Sequence, residues 1–95
     1  MVPQNHVREI KKYIQESYQG KGKWFIFGPA READDFDDID IGYIGKELTP
    51  KELLLIQETF EDSLFPFNIE ITDFSKVEKK FYDSVLPNNV YWITK

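Results

Sequence analysis

The sequence predicts an α/β (α+β) domain, a small β-sheet flanked by helices. Three observations carry that prediction. Segments with helical apolar spacing are interleaved with segments whose residues alternate with period two. Thr49-Pro50-Lys51-Glu52 and Ser75-Lys76-Val77-Glu78 have the form of helix-opening capping boxes. No repeat or low-complexity linker divides the 95 residues, so 1–95 reads as a single domain.

In chain order, Val7, Ile10, Ile14 and Tyr18 fall at helical spacing, predicting a helix from about Val7 to Tyr18. Gly20-Lys21-Gly22 breaks it. Lys23-Trp24-Phe25-Ile26-Phe27 is aromatic and β-rich, a buried strand that ends at Gly28. Asp38-Ile39-Asp40-Ile41-Gly42-Tyr43-Ile44 alternates and reads as a second strand. The box at Thr49, with Pro50 in the first helical position, opens a helix carrying Leu53, Ile56 and Phe60 on one face. After Pro66, Phe67-Asn68-Ile69-Glu70-Ile71-Thr72 alternates as a third strand. The box at Ser75 predicts a last helix with Val77, Phe81 and Val85 on its face, stopped by Pro87-Asn88-Asn89. Val90-Tyr91-Trp92-Ile93 is a fourth strand or a docked end.

Composition narrows the function classes. With 41% hydrophobic and 16% aromatic residues the chain can bury a core, and without cysteine it has no disulfide, thiolate metal site or cysteine nucleophile. The segment after Met1 is polar and no apolar run approaches the ~20 residues of a membrane helix, so a cytoplasmic protein is expected. Net charge is −5, from 17 acidic and 12 basic residues, which argues against general nucleic-acid binding. Six of the nine residues from Glu32 to Asp40 are acidic, and such a run repels itself unless cations or solvent screen it.

Alternation places these acids. Asp38 and Asp40 share one face of their strand, about 6.6 Å apart along the backbone, while Ile39, Ile41 and Tyr43 share the other. Glu70 lies between Ile69 and Ile71. If both strands bury their isoleucines against the same helices, three carboxylates emerge on one sheet face. Such a cluster disfavours its own ionisation, and divalent metal relieves it. Mg²⁺ takes a few carboxylates together with water and phosphate oxygens, and two ions about 4 Å apart serve phosphoryl displacement. An Asp-x-Asp in an acidic run is more often solvated loop. Here the pair sits in an alternating strand and has a matching acid in another. No register fits an EF-hand loop.

The remaining polar and aromatic residues have plainer expectations. His6 is a surface residue near the terminus. Asp34, Asp35 and Asp37 form a solvated loop that raises local cation concentration. Asp73 is a turn or cap residue. Trp24 and Phe27 pack the sheet against helices, and Tyr91 and Trp92 either close the core or meet a protein partner.

Phe25-Ile26-Phe27-Gly28-Pro29, then Asp38-Ile39-Asp40-Ile41, then Ile69-Glu70-Ile71-Thr72-Asp73-Phe74 resembles the minimal nucleotidyltransferase family of the polymerase-β-like nucleotidyltransferase superfamily. The resemblance covers nearly the whole chain and implies the nucleotidyltransferase fold, with a small mixed sheet. It implies that Asp38 and Asp40 are the metal-binding and catalytic pair and Glu70 the third carboxylate, usually Asp. It implies ATP as substrate and two Mg²⁺ ions. Gly28, Pro29 and Arg31 fall where the family binds the nucleotide. The family's Ser is Pro29 here, without hydroxyl or N–H for a phosphate. The Arg that often follows is displaced to Arg31, and the loop to Asp38 is slightly short.

Such proteins are often antitoxins paired with a helical HEPN-type toxin, which active members inactivate by transferring AMP to it. The expected function is therefore a Mg²⁺-dependent AMP transferase acting on a HEPN-type toxin. The alternative is a catalytically impaired module of the same fold that neutralises its toxin by binding. A third reading is a metal-binding regulatory domain without transfer.

Overall fold

The computed structural model describes residues 2–28, 37–86 and 90–94. In chain order they form α1 (Gln4–Ser17), β1 (Gly22–Phe27), β2 (Asp38–Gly45), α2 (Pro50–Glu61), β3 (Asn68–Asp73), α3 (Lys79–Val85) and β4 (Tyr91–Thr94). The strands make one mixed sheet in the order β3-β2-β1-β4. β1 is antiparallel to both neighbours, and β2 runs parallel to β3. A parallel pair needs a crossover connection, and α2 supplies it.

The predicted apolar face of α1 is buried at Val7, Ile10 and Ile14. The helix starts earlier than the apolar spacing marks, because the Pro3 carbonyl accepts from the backbone N–H groups of both His6 and Val7 at 3.0 Å. Tyr18 is not on the helix face. It caps the C-terminus in an extended conformation, and its hydroxyl meets that of Tyr43 at 3.0 Å. His6 is inside the helix and packs edge-on against Phe65 and Phe67, with ring centres 5.5 and 5.2 Å away. The box at Thr49 forms as expected: Thr49 Oγ1 accepts from the Glu52 N–H at 3.1 Å, and Glu52 Oε1 accepts from the Thr49 N–H at 2.9 Å.

The box at Ser75 does not form, which corrects the predicted start of the last helix. Asp73 Oδ1 takes both the N–H of Ser75 (2.9 Å) and its hydroxyl (2.6 Å), so the hydroxyl is spent on a local turn. The chain turns once more and α3 starts at Lys79, with no side-chain cap. Asp73 also accepts the Leu48 N–H through Oδ2 at 2.8 Å, a turn role in keeping with its expectation. The tail after Val90 is the edge strand β4, which completes the sheet beside β1.

The sheet separates two apolar layers. On one face Trp24, Ile26, Ile39, Ile41, Tyr43 and Ile93 pack under α1 and α2 with Ile10, Ile14, Ile56 and Phe60. On the other, Phe25, Phe74 and Leu86 are buried, with Phe27, Tyr82, Val85 and Trp92 around them. Tyr91 and Trp92 pack into the two layers from opposite faces of β4. β1 feeds both layers, which is why its apolar run is continuous rather than alternating.

Tyr43 is wholly buried, and its hydroxyl donates to the Lys46 carbonyl at 2.7 Å. Burial first, and then the hydrogen bond with Tyr18, push its phenol well above the ordinary value. A folded-state value raised above the unfolded one contributes stability that is complete below about pH 10 and is lost as pH rises beyond it. In an ultraviolet titration Tyr43 is expected to ionise only as the fold melts. A Tyr43→Phe variant should shift the alkaline unfolding midpoint upward. A reversible titration of every tyrosine below pH 11 with the fold intact would contradict this placement.

Candidate functional site

The acids occupy the sheet face that carries Phe25 and Phe27, opposite the layer packed under α1 and α2. Ile39, Ile41 and Tyr43 are fully buried on the opposite face, so the alternation of β2 turns Asp38 and Asp40 outward from that core. The parallel register sets Asp40 beside Glu70 and Asp38 beside Asn68. Asp38 and Glu70 are exposed and Asp40 is half-buried.

Two of the three carboxyl groups are already in contact. Glu70 lies within hydrogen-bonding reach of Asp40. This contact, then the Asp40 charge, slight desolvation and the Asp38 charge hold Glu70 above the usual carboxylate range. Asp38 is engaged elsewhere: its Oδ1 accepts from Asn68 Nδ2 at 3.1 Å. Among the described residues, no three side chains of His, Cys, Asp or Glu stand as a ready-made ion cage. The donor chemistry is of the kind a hard cation takes. All three groups offer carboxylate oxygens from one face, and the Asp40–Glu70 repulsion is what a divalent ion relieves.

Gly28 closes the site from β1. It follows Phe27, which pairs with Asp40 across the sheet, and it adopts φ +76°, the left-handed region. A Cβ there would lie 2.7 Å from Asp40 Oδ2. The glycine therefore lets the main chain turn against a carboxylate with no side chain between them. Pro29 and Arg31, the other two nucleotide-binding expectations, lie outside the described residues, as do Asp34 and Asp35.

Two neighbours were not singled out for the site from sequence. Asn68 stands two residues before Glu70 and so shares its face; the alternation that located Glu70 could have found it. Phe27 packs the sheet as expected, but as the cross-strand partner of Asp40 it also walls the acidic site. Trp24 has no such position and is buried in the other layer.

No family model matches the sequence, and no curated protein matches it. Among solved structures, the chain is similar to the MNT antitoxin in a complex with the tri-AMPylated Shewanella oneidensis HEPN toxin. The TM-score is 0.71 over 95% of this chain and 70% of that one, at 14% identity. At that identity the likeness speaks for the fold. The described part of this chain has a mixed sheet and three helices, a nucleotidyltransferase-like fold shared with that structure, with Asp38, Asp40 and Glu70 on one face of the sheet.

Proposed function

We propose that this protein is an antitoxin that transfers AMP from ATP to a HEPN-type toxin. The observation that carries the proposal is the placing of Asp38, Asp40 and Glu70 on one sheet face beside Gly28. The fold shared with an MNT antitoxin supports it. In the transfer, a hydroxyl of the partner attacks the α-phosphorus of ATP. A phosphorus–oxygen bond to the partner forms, the bond to the β-phosphate bridge breaks, and pyrophosphate leaves. The hydroxyl proton passes to a carboxylate of the set. Asp38, Asp40 and Glu70 would hold two Mg²⁺, which supply positive charge to the attacking and leaving oxygens. Asp38 must release Asn68, and Asp40 and Glu70 must part, for all three to serve.

The second reading is a module that silences its partner by binding alone. Pro29 favours it, since a prolyl ring removes both phosphate donors that a serine would present. The test is to incubate the chain with a HEPN-type toxin that it binds, Mg²⁺ and ATP labelled on the α-phosphate. Label appearing covalently on the partner supports transfer. A stable complex that never takes up label assigns the protein to the binding reading.

A further inference from the structure

The carboxylates are bordered by a row of phenyl rings that ends in an exposed one. Phe27, the cross-strand partner of Asp40, meets Phe74 edge-on with ring centres 5.3 Å apart and Phe81 at 6.4 Å. Phe74 continues the Glu70-Thr72 face of β3 just past its end and is buried. Phe81 lies nearly parallel on Phe74, at 5.6 Å and 23°, yet 42% of Phe81 stays open to solvent. It belongs to α3, a helix with no fully buried residue of its own. One ring face thus rests on a buried aromatic support, while part of the residue stays open to solvent.

Ring and acids differ in the chemistry they attract, and one kind of molecule carries both complements. Carboxylates with a divalent ion hold a polyphosphate, while a supported phenyl ring offers a flat apolar surface that any base can stack on. From Asp40, Phe81 is one cross-strand pair and one ring contact away. That separation is of the order of 10 Å, enough for a ribose to bridge from phosphate to base.

Building on the reading that the carboxylates take a nucleoside triphosphate, we propose that Phe81, buttressed by Phe74 and Phe27, is the platform on which the base of that nucleotide stacks. Phe81 is then a positioning residue. It supplies affinity for the nucleoside part and orients the α-phosphate toward the acids. Stacking on a π-face is tolerant of sequence, so the platform favours nucleotides over bare polyphosphate without choosing strongly among bases.

The test compares Mg²⁺-ATP with Mg²⁺-tripolyphosphate by calorimetric titration into wild type, Phe81→Leu, Phe81→Ala, Phe81→Tyr and Asp40→Asn. Phe81→Leu keeps apolar contact with Phe74 but loses the flat face, and circular dichroism verifies that each variant is folded. The expected result is that Leu and Ala weaken ATP about tenfold or more, leave tripolyphosphate within about twofold, and that Tyr restores ATP. Asp40→Asn should lose both ligands. Equal weakening of both ligands by Phe81→Leu would overturn the platform, as would wild type binding both equally well. Those two outcomes leave the carboxylate site standing. Wild type binding neither ligand would overturn the phosphate reading and the platform with it.

Discussion

Asp40→Asn is expected to lower AMP transfer to the partner by about a hundredfold or more while leaving the complex with the partner intact. Asp40 is the member of the acidic set that touches the other two elements. It lies within hydrogen-bonding reach of Glu70 on β3, and it faces Gly28 at the end of β1. Asparagine keeps its size and can donate an N–H to Glu70, so the local arrangement survives. What is lost is the negative charge that would hold a cation. The same loss relieves repulsion in the ion-free protein, so the melting temperature should rise, by about a few degrees. A variant that is more stable, binds its partner and does not transfer would separate chemistry from folding in one experiment. If neutralisation of the partner were unchanged in Asp40→Asn, the enzymatic reading would fall and binding alone would account for the activity.

Gly42→Ala is expected to destabilise the fold by about 2–3 kcal/mol, lowering the melting temperature by about 10–20 °C. Gly42 sits in the middle of β2, opposite Phe25 of β1. An added Cβ would collide with the Phe25 ring and come within 2.8 Å of Phe74 Cε1. Neither ring has room to yield. Phe25 is fully buried and is braced by Trp92 at 5.1 Å and by Phe74 at 5.0 Å. The methyl group must push apart the layer that joins β1, β3 and β4. Calorimetric melting of wild type and variant measures the effect directly, and a change below about 0.5 kcal/mol would mean that this layer is looser than its geometry implies. Phe74 also supports Phe81, so the variant should lose affinity for ATP ahead of tripolyphosphate if the stacking proposal holds.

Side-chain facing was legible before the structure, because a strand has a strict two-residue period. Ile39 and Ile41 had to share a face, and the acids between them had to share the other. Neighbourhood was not legible in the same way. Asp40 stands beside Glu70 only because α2 carries the chain back to start β3 parallel to β2, and a one-residue slip in that register would have put Ile69 or Ile71 there. The two capping boxes show the same boundary between local and competing signals. Thr49 and Glu52 had no rival and capped each other. Ser75 had Asp73 two residues upstream, and that carboxylate took the hydroxyl first. The third carboxylate was therefore visible as a residue type on a face, whereas its approach to Asp40, the Asn68–Asp38 contact and the role of Phe27 as a wall depended on pairing across strands.

The strand order has a kinetic side. β1 lies second from the edge in the finished sheet, but its outer neighbour joins it from far along the chain: Trp24 donates to Thr94 Oγ1 across 70 residues. Such a long closure is slow relative to local pairing. Until β4 docks, β1 is an open edge whose Trp24, Phe25, Ile26 and Phe27 present apolar surface on both sides along with unpaired main-chain groups. Lys21 and Lys23, at the entry to that strand, are the charges that oppose its pairing with another nascent copy. Four residues at the end of the fold thus decide whether the strand leading to Gly28 finds its own partner or someone else's.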